Sequence, residues 1–220
     1  MFNTQMLLLL GQGIVETLFM TLLSTLFAYV LGLPLGVVMI VTADDGIHPV
    51  KWLNKALGVL INVIRSVPFL ILLFAIIPFT RLIVGTTIGS KAMIVPLVVS
   101  AAPFIARMVE SSLKEVDSGV IEAATACGAT PWQIVTKVLL PEALPSLING
   151  AAIAITTILG YGAMAGIVGG GGLGGIAINY GYYRGNYTIM IWMVLFLVVI
   201  VQVFQSVGNT ASQKSDKRTK

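Results

Sequence analysis

The sequence has little charge. Asp, Glu, Lys and Arg make up only 10% of its 220 residues, whereas apolar residues make up 57%. Soluble domains usually carry about 25% charged residues, and the mean hydropathy of this chain is +0.96. The composition therefore excludes a soluble domain and predicts one integral membrane domain in a lipid bilayer. The net charge of +4 does not indicate a nucleic-acid partner.

Reactive side chains are also scarce. Cys127 and His48 are the only residues of their types, so an intrachain disulfide is excluded and no cluster has metal-ligand spacing. Serine, histidine and aspartate are too scattered to suggest a catalytic triad. The phosphate-binding pattern Gly-x4-Gly-Lys-Ser/Thr does not occur. We therefore expect a protein that is not an enzyme, binds no metal or cofactor and does not itself hydrolyse ATP.

Long apolar runs are abundant. A membrane-spanning helix needs about 20 mostly apolar residues, and this requirement predicts an all-α polytopic membrane protein with five transmembrane helices within residues 17–207. An external segment at residues 1–16 precedes them, and a polar, disordered tail at residues 208–220 follows. The predicted spans are residues 17–41, 66–84, 92–108, 144–168 and 188–207.

Glycine pairs four residues apart occur in two of these spans. Gly32 and Gly36 lie in the first, and Gly162 and Gly166 lie in the fourth. This spacing lets another helix approach closely. The glycine run at residues 169–175 formally contains a dinucleotide-binding pattern, but no strand precedes it, and we interpret it as a sharp turn between packed helices. A polar aromatic loop is expected to follow as far as Tyr187.

The basic residues are distributed unevenly between the two sides of a five-span chain. One side holds three, and the positive-inside rule makes it the outside. The N-terminus is then outside, and residues 117–141 and the C-terminus are cytoplasmic. The nine inside are Lys51, Lys55, Arg107, Lys114, Lys137, Lys214, Lys217, Arg218 and Lys220, and the three outside are Arg81, Lys91 and Arg184.

Arg65 is set apart from that count because it lies well inside an apolar stretch. A charge within the membrane is costly and is therefore a functional candidate, but the side chain can also extend to the nearer interface. Both interpretations stay open. Arg107 and Glu110 are three residues apart, so they share a helix face and are predicted to pair.

Residues 117–141, which we call the docking stretch, form the longest polar interval between the spans. They predict two short helices. Asp117 or Ser118 can cap the first helix, and Gly128 lies where a helix end favours a left-handed residue. Thr130, with Gln133 three residues later, has the spacing of a capping box for the second helix. Pro141 is expected to end that helix.

The fourth span has two bulky side chains among small ones. Residues 160–166 are almost all Gly and Ala, and Tyr161 and Met164 stand out among them. Methionine commonly fills gaps in a core. Alternatively, Met164, Tyr161 and Gly162 are candidates for a gate or pore lining, because paired Met164 side chains from two copies could close a narrow pore by excluding water.

The docking stretch also carries a family resemblance. Glu122-Ala123-Ala124, followed by Gly128 and the pair Leu140-Pro141, resembles the EAA loop of importer-type ABC permeases. The longer strings IRSVPFLILLFAIIPFTRLIVGTTIG and EAATACGATPWQIVTKVLLPEALPSLING resemble the permease subunits of bacterial methionine importers, over nearly the whole chain. Residues 17–207 would then form a type-1 ABC transmembrane domain.

The resemblance implies an assembly and a function. It implies a homodimer in the bacterial inner membrane with two ATP-binding subunits, which bind ATP and Mg, and an external substrate-binding protein or lipoprotein. The complex would import methionine, including D-methionine. The docking stretch would serve as the cytoplasmic coupling helix, with Glu122 in its first turn. The ATPase-coupling residues would be Glu122, Ala123, Ala124, Gly128 and Ala129.

Two alternatives remain. The chain can be an ABC permease for another amino acid or small organic solute. It can also be a stand-alone secondary transporter or channel, although the spans lack the paired carboxylates that usually relay protons. An ATPase gene and a binding-lipoprotein gene alongside this one would favour an importer.

Overall fold

A computed structural model describes the backbone of residues 4–216 and the side chains of residues 6–216. Within this range the chain consists of helices and turns, without a β-strand. The α-helices are α1 (Thr4–Val41), α2 (Lys51–Ser66), α3 (Phe69–Ala75), α4 (Ile77–Val84), α5 (Ser90–Lys114), α6 (Ser118–Ala126), α7 (Pro131–Ile134), α8 (Leu140–Glu142), α9 (Leu144–Ala165), α10 (Gly172–Ile176) and α11 (Tyr187–Ser215).

Among residues 4–216, four helical segments are long and apolar enough to cross a membrane. A fifth span is present if the bent pair α2 and α3 counts as one. The prediction of an all-helical, polytopic membrane protein is confirmed at this level. The four segments are Met6–Val41, Ser90–Lys114, Leu144–Tyr182 and Tyr187–Ser215.

Three predicted boundaries were wrong. Helix α1 begins at Thr4, so most of the predicted external segment is helical. The predicted second span is broken at Ile76 into α3 and α4. Pro78, in the first turn of α4, explains the break because it has no N–H to continue the hydrogen bonds of α3. The interval predicted as an aromatic loop continues α10 as a π-helical turn, Ala177–Tyr182.

The predicted disordered tail is also helical as far as Ser215. Its contacts explain why. The Ser212 hydroxyl donates a 2.8 Å hydrogen bond to the Pro145 carbonyl, and Gly208 packs so closely on Ala152 that it has no room for a β-carbon. The tail's basic residues Lys217, Arg218 and Lys220 lie outside the described residues.

The chain divides into two compact units. Unit 1 comprises the residues up to Ala28, Val67–Ala101 and Ile155–Gln205. Its buried core joins the first part of α1 to α10 and to the start of α11. The core residues are Leu10, Leu173, Ile176, Ala177, Ile189 and Met193. Most of the rest of α11 is exposed, as a lipid-facing span requires.

Unit 2 comprises Tyr29–Ser66, Ala102–Ala154 and the residues from Ser206 on. In it, α1 packs on α5 through the predicted glycine pair. A β-carbon on Gly32 would lie 2.8 Å from the Ala102 carbonyl oxygen, and one on Gly36 would lie 2.6 Å from the Ala106 carbonyl oxygen and the Val109 β-carbon. The close approach predicted for this pair is confirmed.

This close approach makes a testable prediction. Gly36→Ala should lower the unfolding free energy by about 1–3 kcal/mol, because the new methyl group forces α1 away from α5. The measurement is the thermal unfolding midpoint of the full chain in detergent. Gly11→Ala in the same helix is the control, because its β-carbon would meet nothing within 4 Å. Equal midpoints for both variants would contradict the packing.

Candidate functional site

The first helix of the docking stretch is closed at both ends by local hydrogen bonds. Asp117 caps α6, and its Oδ1 accepts from the Gly119 N–H at 2.7 Å. Gly128 follows the helix with a φ of 77°, a left-handed conformation that costs glycine little. The Gly128 N–H donates to the Thr125 carbonyl (2.9 Å), and the Ala129 N–H donates to the Ala124 carbonyl (3.1 Å). The predicted caps are confirmed.

The second helix begins with the predicted capping box. The Gln133 N–H donates to the Thr130 hydroxyl oxygen at 3.3 Å, and the Gln133 side chain accepts from the Thr130 N–H at 2.9 Å. The prediction that Pro141 ends this helix was wrong, because Pro141 lies within α8. A π-helical turn, Val135–Leu139, precedes it. The wider turn shifts the hydrogen-bond register and so accommodates a residue without an N–H.

Helix α6 presents a surface of small side chains. None of its residues is buried. Of the predicted coupling residues, Glu122, Ala123 and Gly128 are exposed, and Ala124 and Ala129 are half-buried. Because α6 begins at Ser118, Glu122 is in the second turn rather than the first. Small, exposed side chains on a capped helix leave its backbone accessible from outside this chain.

A charged network supports the helix that leads into the docking stretch. The predicted pair is confirmed, with Arg107 Nη1 2.7 Å from Glu110 Oε2. Glu110 also accepts from Lys114 Nζ at 2.8 Å. Arg107 Nη2 donates to the Asn62 side-chain oxygen (3.1 Å) and the Gly58 carbonyl (3.4 Å) on α2. The end of α5 is therefore joined to α2, a link that the spacing of charges along α5 did not reveal.

The two bulky residues of the fourth span have different surroundings. Tyr161 is half-buried and stacks on Phe69, with ring centroids 4.7 Å apart and planes at 5°. Met164 is 48% exposed. A β-carbon on Gly162 would meet nothing within 4 Å, whereas one on Gly166 would lie 2.5 Å from the Gly175 nitrogen. Of the predicted glycine pair, Gly166 alone makes a close helix contact in this chain.

The glycine run turns sharply, as predicted, and is held by a side chain that the sequence did not single out. Gly169, Gly171 and Gly172 all have positive φ values. Glu16 Oε2 accepts from the Gly172 N–H at 2.8 Å, and the Thr17 hydroxyl accepts from the Leu173 N–H at 2.9 Å. Two successive residues of α1 thus satisfy two successive N–H groups at the start of α10. The available signal was a carboxylate inside an apolar helix.

Arg65, the predicted charge candidate, is exposed in the last turn of α2. Among the residues that the structure describes, no carboxylate forms a salt bridge with it. Its role stays a prediction.

The chain has close relatives among known proteins. The probable D-methionine transport system permease protein MetI of Vibrio cholerae is 51% identical over 203 residues, which cover 92% of this chain and 90% of that protein. The D-methionine transport system permease protein MetI of Escherichia coli K12 is 55% identical over 161 residues, 73% of this chain and 74% of that protein.

Solved structures extend the likeness to the fold. A chain of the MetNI methionine ABC transporter in inward-facing conformations has 50% identity and a TM-score of 0.97, covering 98% of this chain and 100% of its own. A chain of an amino acid ABC transporter crystallised with histidines has 20% identity and a TM-score of 0.77, a likeness of fold alone. The family model described as "Binding-protein-dependent transport system inner membrane component" matches residues 32–220. The chain therefore belongs to the family of inner membrane components of binding-protein-dependent transport systems.

Proposed function

We propose that this chain is the translocation subunit of an ATP-driven importer of methionine, including D-methionine, in the bacterial inner membrane. The observation that carries the proposal is the agreement in sequence and fold with the MetNI chain over 98% of this chain. The D-methionine permeases of Vibrio cholerae and Escherichia coli support the same substrate. ATP hydrolysis belongs to a separate ATPase subunit, which binds ATP and Mg.

The docking stretch would be the contact with that ATPase. The excess of basic residues supports a cytoplasmic location for this side of the chain, where α6 would expose Ala123 and Glu122. Alanine lets a helix enter a partner's groove without clashes, and Glu122 can meet a basic group of the ATPase. ATP-driven closure of two ATPase subunits would move two copies of α6 together.

A second copy of the chain would complete the solute path. Gly160 on α9 is half-buried, and a β-carbon built on it would meet nothing within 4 Å in this chain. Met164 on α9 and Ile167, just after its end, are 48% and 52% exposed. This part of α9 therefore offers both space and an apolar surface for a two-fold partner. A path between two copies would open outward to an external substrate-binding lipoprotein.

The whole assignment is tested by reconstitution. Proteoliposomes that contain this chain, its ATPase and its binding protein should take up methionine only when ATP is supplied, and methionine-loaded binding protein should stimulate ATP hydrolysis. Uptake by this chain alone would identify a stand-alone transporter or channel. ATP-dependent uptake of another amino acid, but not methionine, would identify a different substrate.

The docking surface is tested by enlarging a side chain on α6. Ala123→Leu should abolish stimulated ATP hydrolysis, because the larger side chain clashes in the partner's groove, while the permease still inserts and folds. Ala56→Leu is the matched control, since Ala56 is also exposed on a helix but outside the docking stretch. If Ala123→Leu retains full stimulated activity, α6 is not the docking helix.

The gate hypothesis is tested at Met164. Met164→Ala should raise ATP-independent leak of methionine through the assembled complex several-fold, because the apolar constriction widens and admits water. Leak is measured as efflux from loaded proteoliposomes. Ile191→Ala, at an exposed position of α11, should leave leak unchanged. Equal leak in the two variants would assign Met164 to packing.

A further inference from the structure

A groove lies between α6 and the turn that connects α1 to α2. Its volume is about 670 Å³, which is within the range of about 300–1,000 Å³ typical of binding sites. Both walls and the floor belong to unit 2. Ile121, Glu122 and Thr125 of α6 form one wall, and Asp45 and Ile47 of the turn form the other. The floor is apolar, with Leu113, Val116 and Leu139.

The turn that forms the second wall is preformed by its own hydrogen bonds. The His48 N–H donates to the Val41 carbonyl at 3.0 Å, and the Val50 N–H donates to the Thr42 carbonyl at 3.1 Å. The Asn54 side chain donates to the Met39 carbonyl at 2.7 Å. These bonds satisfy the last carbonyls of α1. The wall therefore needs no rearrangement to receive a partner.

The charges along the groove are unevenly compensated. Lys114 lines the groove, but its ammonium group is bonded to Glu110. Asp44, next to the groove, pairs with Lys51 at 3.5 Å. Asp45 and Glu122 lie on opposite walls, and no salt bridge joins either of them to a basic side chain in residues 4–216. The groove thus combines an apolar floor with one unpaired carboxylate on each wall.

We propose that the partner ATPase inserts an apolar side chain, flanked by a Lys or Arg, into this groove, so that its contact extends from α6 to the turn between α1 and α2. The inference rests on the proposed function. Continuity with the exposed face of α6 and charge complementarity at Asp45 and Glu122 both favour this occupant. An anionic lipid headgroup is disfavoured, because it would lie between two carboxylates.

Two adjacent aspartates allow a matched test. Asp45→Arg and Asp44→Arg make the same change in net charge, but Asp45 alone lines the groove. The affinity of the purified ATPase for the detergent-solubilised full chain is measured at low and high salt. Asp45→Arg should weaken binding roughly tenfold or more at low salt, with a smaller effect at high salt. Asp44→Arg should stay within about twofold of the unmodified chain, because an exposed pair contributes little.

Further variants separate loss of charge complementarity from loss of folding. Asp45→Asn keeps the side-chain shape and should weaken binding less than Asp45→Arg, and a charge-reversed Lys→Glu or Arg→Glu in the ATPase should restore binding to Asp45→Arg. The thermal midpoint of each variant confirms that it is folded. If Asp45→Arg and Asp44→Arg weaken ATPase binding equally, the effect comes from the change in net charge and not from the groove, and the inference is overturned.

The outcomes separate this inference from the proposed function. If Ala123→Leu prevents ATPase binding while Asp45→Arg binds like the unmodified chain, the inference is wrong and the docking role of α6 stands. If the unmodified chain binds no ATPase at all, both fail.

Discussion

Close backbone approach is the constraint on which this membrane domain depends. Lipid chains are as apolar as leucine, so helices in a bilayer associate through tight packing and polar contacts rather than through loss of water. Gly36 brings α1 against the Ala106 carbonyl, and Gly166 brings the end of α9 against Gly174 and Gly175. A β-carbon at Gly36 or Gly166 would lie within 2.6 Å of a neighbouring backbone atom, so a side chain there would push the packed segments apart. Gly36 and Gly166 therefore serve first to let packed segments approach each other closely.

The features that the sequence predicted best are those made by neighbours in the chain. The cap at Asp117, the left-handed Gly128 and the capping box of Thr130 and Gln133 each join residues no more than five positions apart. Their geometry follows from residue type and spacing alone. The caps of the two helices in the docking stretch could therefore be derived from the sequence, and the resemblance carried by Glu122, Ala123 and Ala124 then gave the stretch a proposed role.

The features that the sequence did not predict depend on distant residues. Glu16 and Gly172 are 156 positions apart, and no local pattern relates a carboxylate in α1 to an N–H in the glycine run. The same applies to Ser212, whose bond to Pro145 keeps the end of α11 helical. The prediction that Pro141 ends a helix was wrong for another reason. The π-helical turn before it shifts the backbone hydrogen bonds, so that a residue without an N–H can be accommodated. Glu16 and Ser212 thus depend on tertiary contacts, whereas Pro141 depends on a local change of helical register.

The proposed function needs mechanical continuity between the docking stretch and the proposed gate at Met164, and one helix carries residues close to both. Helix α9 follows α8 after a single residue and runs for 22 residues from Leu144 to Ala165, with Met164 near its end. At about 1.5 Å per residue it extends roughly 33 Å. An unbroken helix of this length carries a displacement of its first turn to its last. Pro145 does not interrupt α9, because the N–H groups of the first turn have no intrahelical acceptor and a proline there removes no helical hydrogen bond. Under the proposed function, a movement of α8 would be passed along α9, the helix that carries Met164.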